Sequence, residues 1–368
     1  MLNLERGRVI EVLQDDKRIQ ILMVENIDMP LREKAINYVD ETGICMVDDI
    51  VVINTIGNRL ELGTGGYNFV YLNLSGKLEE KSQLDRSEGH IIKMKYTSGQ
   101  IRVKAVEEYL EYKSIFDIGN SIPKRPVIYA ILHSMVSPLV KTIKLFKSDA
   151  VITCVYTYGG AMNANNSFTL KKLRDEGLIN GVVTAGECYG GDYESINIVS
   201  GILFGLKGLE SDIVIVCCGP GVAGSSTYYG FSTFDFTGAI YSAKQLGLYP
   251  VLIPRISMAD GRKRHLGISM QSIAILQALD FPVHLPIYKD FEDITGFRHI
   301  CNQLSINGII DKHFVEFIED TSLKDVVKNT SGYTRVMGRD YISDPWFFYS
   351  CCSAGIYSVN ILNKNKNY

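Results

Sequence analysis

The sequence predicts an α/β protein with a small antiparallel β domain, a Rossmann-like domain whose parallel sheet carries helices on both faces, and a mainly helical C-terminal extension. Two observations support this class. The first third of the chain contains short β-rich runs with polar or glycine breaks, and the middle alternates continuous apolar runs with helical patterns. A strand with one solvent-exposed face alternates in polarity, whereas a parallel strand covered by helices on both faces is continuously apolar. The change from the first pattern to the second therefore marks the boundary between the two domains.

The β domain is predicted over residues 1–112, as a small barrel or sandwich. Alternating polarity in the later runs indicates strands with one solvent-facing side. The glycine-rich run Leu62 to Tyr67 is typical of a hairpin turn, with a lip of a ligand cleft as the alternative. The runs are RVIEVL, IQILMV, DIVVINTI, YNFVYLNL, HIIKMKY and IRVKAV. Residues 113–125 lose the alternation before Pro126 and are predicted to be a linker.

The Rossmann-like domain is predicted over residues 126–290. Its strands are PVIYAIL (126–132), AVITCVYTY (150–158), INGVVTA (179–185), DIVIVCC (212–218), YPVLIPRI (249–256) and a sixth, FPVHLPI (281–287). The helices between them are SPLVKTIKLFK, SFTLKKLRDEG, YESINIVSGILFGLKG, DFTGAIYSAKQLG and SMQSIAILQAL. Residues 291–368 are predicted to form a helical extension that ends in a polar tail.

Composition limits the classes of function. The formal net charge of −3 over 368 residues gives no electrostatic footprint for nucleic acid or an anionic membrane. The first segment lacks the apolar core of a signal peptide, and no stretch reaches the about 18 apolar residues of a membrane span. The eight cysteines form no C-x-x-C pair, which favours buried, reduced thiols. We therefore expect a cytoplasmic protein without a nucleic-acid or membrane partner.

Polar residues gather where the predicted parallel strands end. Ligands of open α/β sheets bind outside the carboxyl ends of the strands, so these clusters predict a ligand cleft. The alternative is that the glycines only form turns. The predicted ligand-binding residues are Gly159, Gly160, Gly186, Gly190, Gly191, Gly219, Gly221, Ser225, Thr227, Arg255, Ser257 and Arg264.

The stretch after the fourth of these strands fits G-x-G-x-x-G at Gly219, Gly221 and Gly224. A dinucleotide fingerprint also needs a helix that begins within the loop, whereas the best helix starts here come later, at Ser232 to Asp235. We therefore expect an anion cradle of backbone and hydroxyl groups rather than a nicotinamide or flavin site. Arg255 is the sharpest candidate for the anion's counter-charge, because it ends an apolar strand.

Five residues are candidates for acid-base catalysis: His133, Glu187, Asp192, Asp260 and His265. Each moves protons near neutral pH if its surroundings shift its pKa, and each has a structural role as the alternative. The chain shows no H-E-x-x-H, no paired cysteine spacing and no G-x-S-x-G elbow, so no metal site or serine hydrolase is predicted. No cofactor is identified.

The sequence thus predicts a protein that binds a small anionic metabolite at the strand ends. Two classes of function remain open. One is an enzyme of small-molecule metabolism whose reaction is unknown. The other is a metabolite-binding regulator or scaffold without catalysis. A homo-oligomer, or a partner subunit that completes the site, is compatible with both.

The chain resembles a bacterial family known only as domain of unknown function 3866. The motifs that carry the resemblance run nearly end to end: Leu62–Tyr67, Gly89-His90 with Lys93, Leu132–Ser134, Thr184–Gly186 with Gly190–Asp192, Gly219–Gly221, Arg264-His265 with Gly267, and Met337–Arg339 with Asp344-Pro345. Many members are expected to have histidine where this chain has Met270-Gln271 and Glu187. The family implies no activity.

A fainter resemblance links residues 126–278 to the proprotein subunit of glycine, sarcosine, betaine and D-proline reductases. That resemblance implies a related fold and amine or amino-acid ligands. The family forms a pyruvoyl group by cleavage at a cysteine. Cys301 is the nearby cysteine, and no cleavage motif surrounds it.

Overall fold

The computed structural model describes residues 2–62, 65–76, 89–117, 121–157, 163–332 and 334–365. The chain divides into two compact units, Met1–Arg86 and Ser87–Tyr368. The predicted runs HIIKMKY and IRVKAV fall in the second unit, where β6 (Ile91–Lys93) and β7 (Ile101–Val103) form a two-stranded antiparallel sheet.

The first unit is a small closed barrel, which confirms the predicted fold class of the N-terminal β region. Its strands follow the order β1-β2-β3-β5-β4, and the neighbouring pairs are antiparallel except β3 with β5. Alternate side chains such as Val9, Leu22 and Val51 fill the barrel, as one-sided strands require. The strands are β1 (Leu4–Asp15), β2 (Ile19–Asn26), β3 (Arg32–Tyr38), β4 (Ile50–Asn54) and β5 (Asn68–Asn73), with short helices α1 (Val39–Thr42) and α2 (Ile56–Arg59). Strand β3 was not predicted, because its segment REKAINY is mostly polar.

The second unit contains an eight-stranded, wholly parallel sheet. This confirms the predicted parallel sheet and its six strands, and adds two strands that were not predicted, β11 and β17. The strands are β8 (Pro126–Ala130), β9 (Ile152–Thr157), β10 (Gly181–Ala185), β11 (Tyr193–Ser195), β12 (Ile213–Cys218), β13 (Tyr249–Ile253), β16 (His284–Tyr288) and β17 (Phe314–Ile318). Their order is β11-β10-β9-β12-β8-β13-β16-β17. Every residue of β8, β9, β10 and β12 is buried. The short strands β14 (Ile256–Ser257) and β15 (Gly267–Ile268) form a separate antiparallel pair.

Helices connect the parallel strands at the five places predicted, but the third begins later than predicted, because Tyr193–Ser195 form strand β11 instead of a first helical turn. The helices are α3 (Val136–Phe146), α4 (Phe168–Asp175), α5 (Ile198–Leu203) with the π-helical turn Phe204–Gly208, α6 (Phe236–Gln245) and α7 (Met270–Ala278). Serine side chains cap two of them: Ser167 accepts from the Leu170 amide, and Ser269 accepts from the Ser272 amide. Capping satisfies amides that lack a partner inside the helix.

The C-terminal extension contains α8 (Ile294–Ile306), α9 (Ile309–Lys312), α10 (Leu323–Ser331) and α11 (Pro345–Asn365). It also contributes β17, a strand in a region for which only helices were predicted. Helix α11 packs against α3 and β16, and the Ser350 hydroxyl donates to the Pro254 carbonyl at 2.6 Å. The start of α11 is thereby held beside the end of β13. In the part of the chain that the structure describes, no helix combines the length and the apolar character of a membrane span.

Candidate functional site

The parallel sheet brings the predicted strand-end clusters to one edge. Because all eight strands run in the same direction, the segments after β8, β10, β12 and β13 leave the sheet at its carboxyl edge. The predicted residues Gly159 and Gly160 lie outside the described residues. The remaining candidates do not form one site: they belong to several separate hydrogen-bond networks.

Arg255 is the centre of a buried ionic cluster after β13. Its side chain is 7% exposed, and its Nη2 donates to Oδ2 of Asp260 at 2.9 Å. Its Nη1 lies 3.4 Å from Nδ1 of His265. Its Nε has no hydrogen-bond partner among the described residues. Burial lowers the pKa of this guanidinium, and the Asp260 carboxylate offsets the cost of burying its charge.

Asp260 is shared by three guanidinium groups. Besides Arg255, Arg262 donates to both of its carboxylate oxygens, and Nη2 of Arg339 lies 3.3 Å from Oδ2. The hydrogen bond from Arg262 is the main reason that the pKa of this carboxyl lies well below its usual range. Asp260 is therefore ionised at neutral pH, which fits a structural anion better than a proton donor.

Arg339 connects this cluster to Asp344. Its Nε donates to Oδ2 of Asp344 at 2.9 Å, and the Ser257 hydroxyl donates to the same oxygen at 2.7 Å. Asp344 is fully buried, and its Oδ1 has no hydrogen-bond partner in the described parts of the chain. Arg339 and Asp344 were not predicted as site residues, although both belong to the motifs that carry the family resemblance.

His265 is neutral at physiological pH. Burial, reinforced by the Arg255 charge, lowers its pKa to about 4. A neutral ring accepts the Arg255 hydrogen bond at Nδ1 and carries its proton on Nε2. Arg264, the neighbouring candidate, is exposed and does not join this cluster.

His133 lies in a separate hydrogen-bond chain. Its Nδ1 is 2.8 Å from the Cys218 carbonyl, and its Nε2 is 2.7 Å from the Ser167 hydroxyl. The carbonyl only accepts, so the ring proton is on Nδ1 and the serine donates to Nε2. Burial lowers the pKa of His133. Both ring nitrogens are thus occupied in fixing the segment after β8 against the start of α4.

The acidic candidates after β10 also have protein partners. Asp192 pairs with Arg174 at 2.6 Å and accepts from the Val182 amide at 2.8 Å. Glu187 accepts a hydrogen bond from the Met94 amide. Asp192 is therefore held by two protein groups, whereas Glu187 has one such contact among the described residues and also lines a cavity.

Near Asp192 and Glu187 lies a buried ion pair that was not predicted from the sequence. The Lys93 ammonium is 2.7 Å from Glu194 and also donates to the carbonyls of Cys188 and Thr184. Glu194 accepts from the Gly190 amide at 2.8 Å. The glycine-rich turn of Gly190 and Gly191 is therefore part of a satisfied internal network.

The predicted anion cradle at Gly219 to Thr227 forms an exposed loop. The Ser225 amide and hydroxyl both donate to the Gly230 carbonyl, and that hydroxyl lies 2.9 Å from Oγ1 of Thr227. Helix α6 begins only at Phe236, well after Gly219 and Gly221. The hydroxyl groups of Ser225 and Thr227, which were expected to hold an anion, are thus paired within the loop itself.

Two of the larger cavities formed by the described residues open at the carboxyl edge of the sheet. The first, the Trp346 pocket, has a volume of about 530 Å³ and lies between the ends of β13 and β16 and the start of α11. Its lining includes Met258, Asp290, Lys324, Asp344, Trp346 and Tyr349. The second, the Glu187 pocket, measures about 520 Å³ and is lined by Gly186, Glu187, Asn197, Val199, Phe236 and other residues near the starts of α5 and α6.

Carboxylates dominate the Trp346 pocket. The Lys324 ammonium lies 2.7 Å from Glu292 and 3.5 Å from Asp290. Asp293 caps α8 by accepting from the Gly296 amide, and its other oxygen accepts from the indole N–H of Trp346 at 2.8 Å. Over the described ranges, no three histidine, cysteine or acidic side chains are placed to hold a metal ion.

Comparison with known proteins gives one family. A family model described as "Protein of unknown function (DUF3866)" matches residues 34–355, most of the chain. No curated protein matches, so the fainter likeness to the reductase subunits is not confirmed.

Proposed function

The chain belongs to the DUF3866 family, and we propose that it binds a small metabolite in the Trp346 pocket. One observation carries the proposal: Asp344 is a fully buried carboxylate that borders a cavity, and its Oδ1 has no hydrogen-bond partner among the described residues. A buried polar atom without a partner costs about 1–3 kcal/mol, more when it is charged. A ligand that donates a hydrogen bond removes that cost.

The position and size of the cavity support the proposal. It lies outside the carboxyl ends of parallel strands, where ligands of open α/β sheets bind. Its volume of about 530 Å³ falls within the roughly 300–1,000 Å³ of small-molecule sites. The cluster of Arg255, Asp260, Arg339 and Asp344 fixes one wall, since each of its charges is held by another.

The anion predicted from the sequence has less support here. Arg255, its expected counter-charge, already pairs with Asp260, and Arg262 and Arg339 share that carboxylate. Lys324 lines the pocket, but it pairs with two carboxylates. The pocket therefore favours a ligand that donates hydrogen bonds.

A binding role without catalysis fits better than an enzyme. The Trp346 pocket is not lined by His133, Glu187, Asp192, Asp260 or His265 within the described chain. A general acid or base has to reach the reacting proton directly or through one water. We therefore favour a metabolite-binding regulator or scaffold.

The test is a thermal-shift screen of the full chain against amines, amino acids, sugars, phosphates and carboxylates. A ligand at 100 times its dissociation constant adds about 2.7 kcal/mol and raises the melting temperature. Ala259→Trp places a large ring on an exposed residue of the lining and should abolish the shift. The control Ala223→Trp, on an exposed loop, should retain it. No shift with any compound, or a shift that survives Ala259→Trp, contradicts the proposal.

A further inference from the structure

We propose that the ligand of the Trp346 pocket carries a protonated amine, an alkylammonium group that reaches Asp344. This inference rests on the proposed function and names the chemistry of that site.

The charges of the pocket favour a cation. Among the described residues, four carboxylates line it against one lining cation, Lys324, while Arg339 pairs with Asp344 from outside the lining. That ammonium is occupied by Glu292 and Asp290. A ligand that brings a carboxylate or phosphate would add like charge to this wall, whereas an ammonium group would reduce the repulsion among the carboxylates.

The hydrogen bonds select a donor. Both oxygens of Asp293 accept hydrogen bonds from the protein, one from the Gly296 amide and one from Trp346. Asp344 differs, because its Oδ2 is held by Ser257 and Arg339 while its Oδ1 lacks a partner among the described residues. A carboxylate oxygen only accepts, so the missing group is a donor, and an ammonium supplies three N–H donors.

The aromatic side chains fit the same group. Trp346 and Tyr349 line the pocket with ring centroids 5.8 Å apart, and Tyr288 packs 4.8 Å from Tyr349. The bond from Trp346 to Asp293 fixes the orientation of the indole ring. Indole and phenol faces attract ammonium groups through their quadrupoles. Carboxylates beside aromatic faces form the usual setting for an organic cation, and the lack of a three-ligand cluster in the described chain argues against a metal.

The experiment is isothermal titration of the full chain with pentylamine and 1,5-diaminopentane, and with 1-pentanol and pentanoate as matched counterparts. We expect the amines to bind, and the alcohol and acid to bind at least about tenfold more weakly, as the loss of a charged hydrogen bond implies. Asp344→Asn should weaken amine binding by a similar factor.

Because Asp344→Asn alters a buried network, a second variant keeps the test independent of folding. Lys324→Met removes the competing ammonium from a half-exposed position and should tighten amine binding about three- to tenfold. The control Lys328→Met, exposed on the same helix, should leave it unchanged. Unchanged or weaker binding to Lys324→Met overturns the inference.

The outcomes separate the two proposals. If phosphates, sugars or carboxylates bind and Ala259→Trp blocks them, the pocket is a ligand site and the amine inference is wrong. If neither the amines nor any other compound binds, both fail. Failure of every compound to bind is the result expected if a water molecule, rather than a ligand, donates to Oδ1 of Asp344.

Discussion

The Ser257 hydroxyl donates a 2.7 Å hydrogen bond to Oδ2 of Asp344, 87 residues later in the chain. Both side chains are buried, at 1% and 0% exposure. This contact connects the segment after β13 to the residue that precedes α11, and Arg339 donates to the same oxygen. One wall of the Trp346 pocket therefore depends on two segments that are distant in sequence.

Ser257→Ala should destabilise the second unit by about 1.5–3 kcal/mol, the usual contribution of a hydrogen bond to a charged group. Urea unfolding followed by tryptophan fluorescence measures this, because Trp346 is the single tryptophan of the chain. The control Ser226→Ala removes an exposed hydroxyl and should change stability little. Equal effects of the two substitutions would show that the contact does not stabilise the fold.

Asp260→Asn should cost about 3–5 kcal/mol at pH 7, because it leaves the buried Arg255 guanidinium without its counter-charge. Asp175→Asn, an exposed aspartate, is the matched control. The pKa of Asp260 is depressed in the folded state, so its contribution is present above the unfolded value of 3.8 and is lost as the pH falls through the folded pKa. Urea unfolding at pH 7 and pH 3 should show a smaller difference from wild type at the lower pH.

His265→Asn should remove part of the acid sensitivity of the second unit. The folded pKa of about 4 lies below the ordinary histidine value of 6.5, so the unfolded state takes up a proton first as the pH falls. Stability is therefore lost between about pH 6.5 and pH 4, by roughly 2–4 kcal/mol at about 1.4 kcal/mol per pKa unit. The measurement is urea unfolding at pH 7.5, 5.5 and 4, with exposed His299→Asn as control. A variant that loses as much stability as wild type over this interval would contradict the assignment.

Lys93→Met should destabilise the second unit by about 3–5 kcal/mol, because it leaves the Glu194 carboxylate buried without its cation. Lys93 is 2% exposed, so water cannot replace the ion pair. The double variant Lys93→Met/Glu194→Gln should recover part of the loss, since it buries no lone charge. Lys95→Met, at an exposed neighbour, is the control. A double variant no more stable than the single one would argue against charge as the cause.

Gly191→Ala should destabilise the protein without any ligand present. An added Cβ would lie 2.6 Å from the Val182 carbonyl oxygen and 2.9 Å from that of Tyr193, so β10 and β11 would have to shift. Gly238→Ala, where a Cβ meets nothing within 4 Å, should instead stabilise α6 by about 0.5–1 kcal/mol. Thermal unfolding of the two variants tests whether packing requires Gly191. An unchanged melting temperature for Gly191→Ala would show that packing does not require this glycine and would favour a ligand-binding role.

The sequence predicted the fold class because that class depends on local patterns. Alternating polarity marked the strands of the first unit, and uninterrupted apolar runs marked β8, β9 and β12. It also placed the candidate residues at one edge, since strands joined by helices run parallel. It missed β3, β11 and β17, where few apolar residues are buried in a regular pattern.

The Trp346 pocket could not be predicted from the sequence and is seen only in the tertiary structure. From the sequence, Arg255 was expected to be a cation free to bind an anion. No local pattern indicated that it pairs with Asp260, or that Arg339, 79 residues after Asp260, contacts the same carboxylate. Asp344 stood out only as a motif residue of a family without an assigned activity. Hydrogen bonds and ion pairs between distant segments leave no periodic signal in the chain, because they depend on how α11 packs against the sheet. The sequence therefore determined the edge at which a ligand is expected, and the packing of α11 determined which side chains meet there.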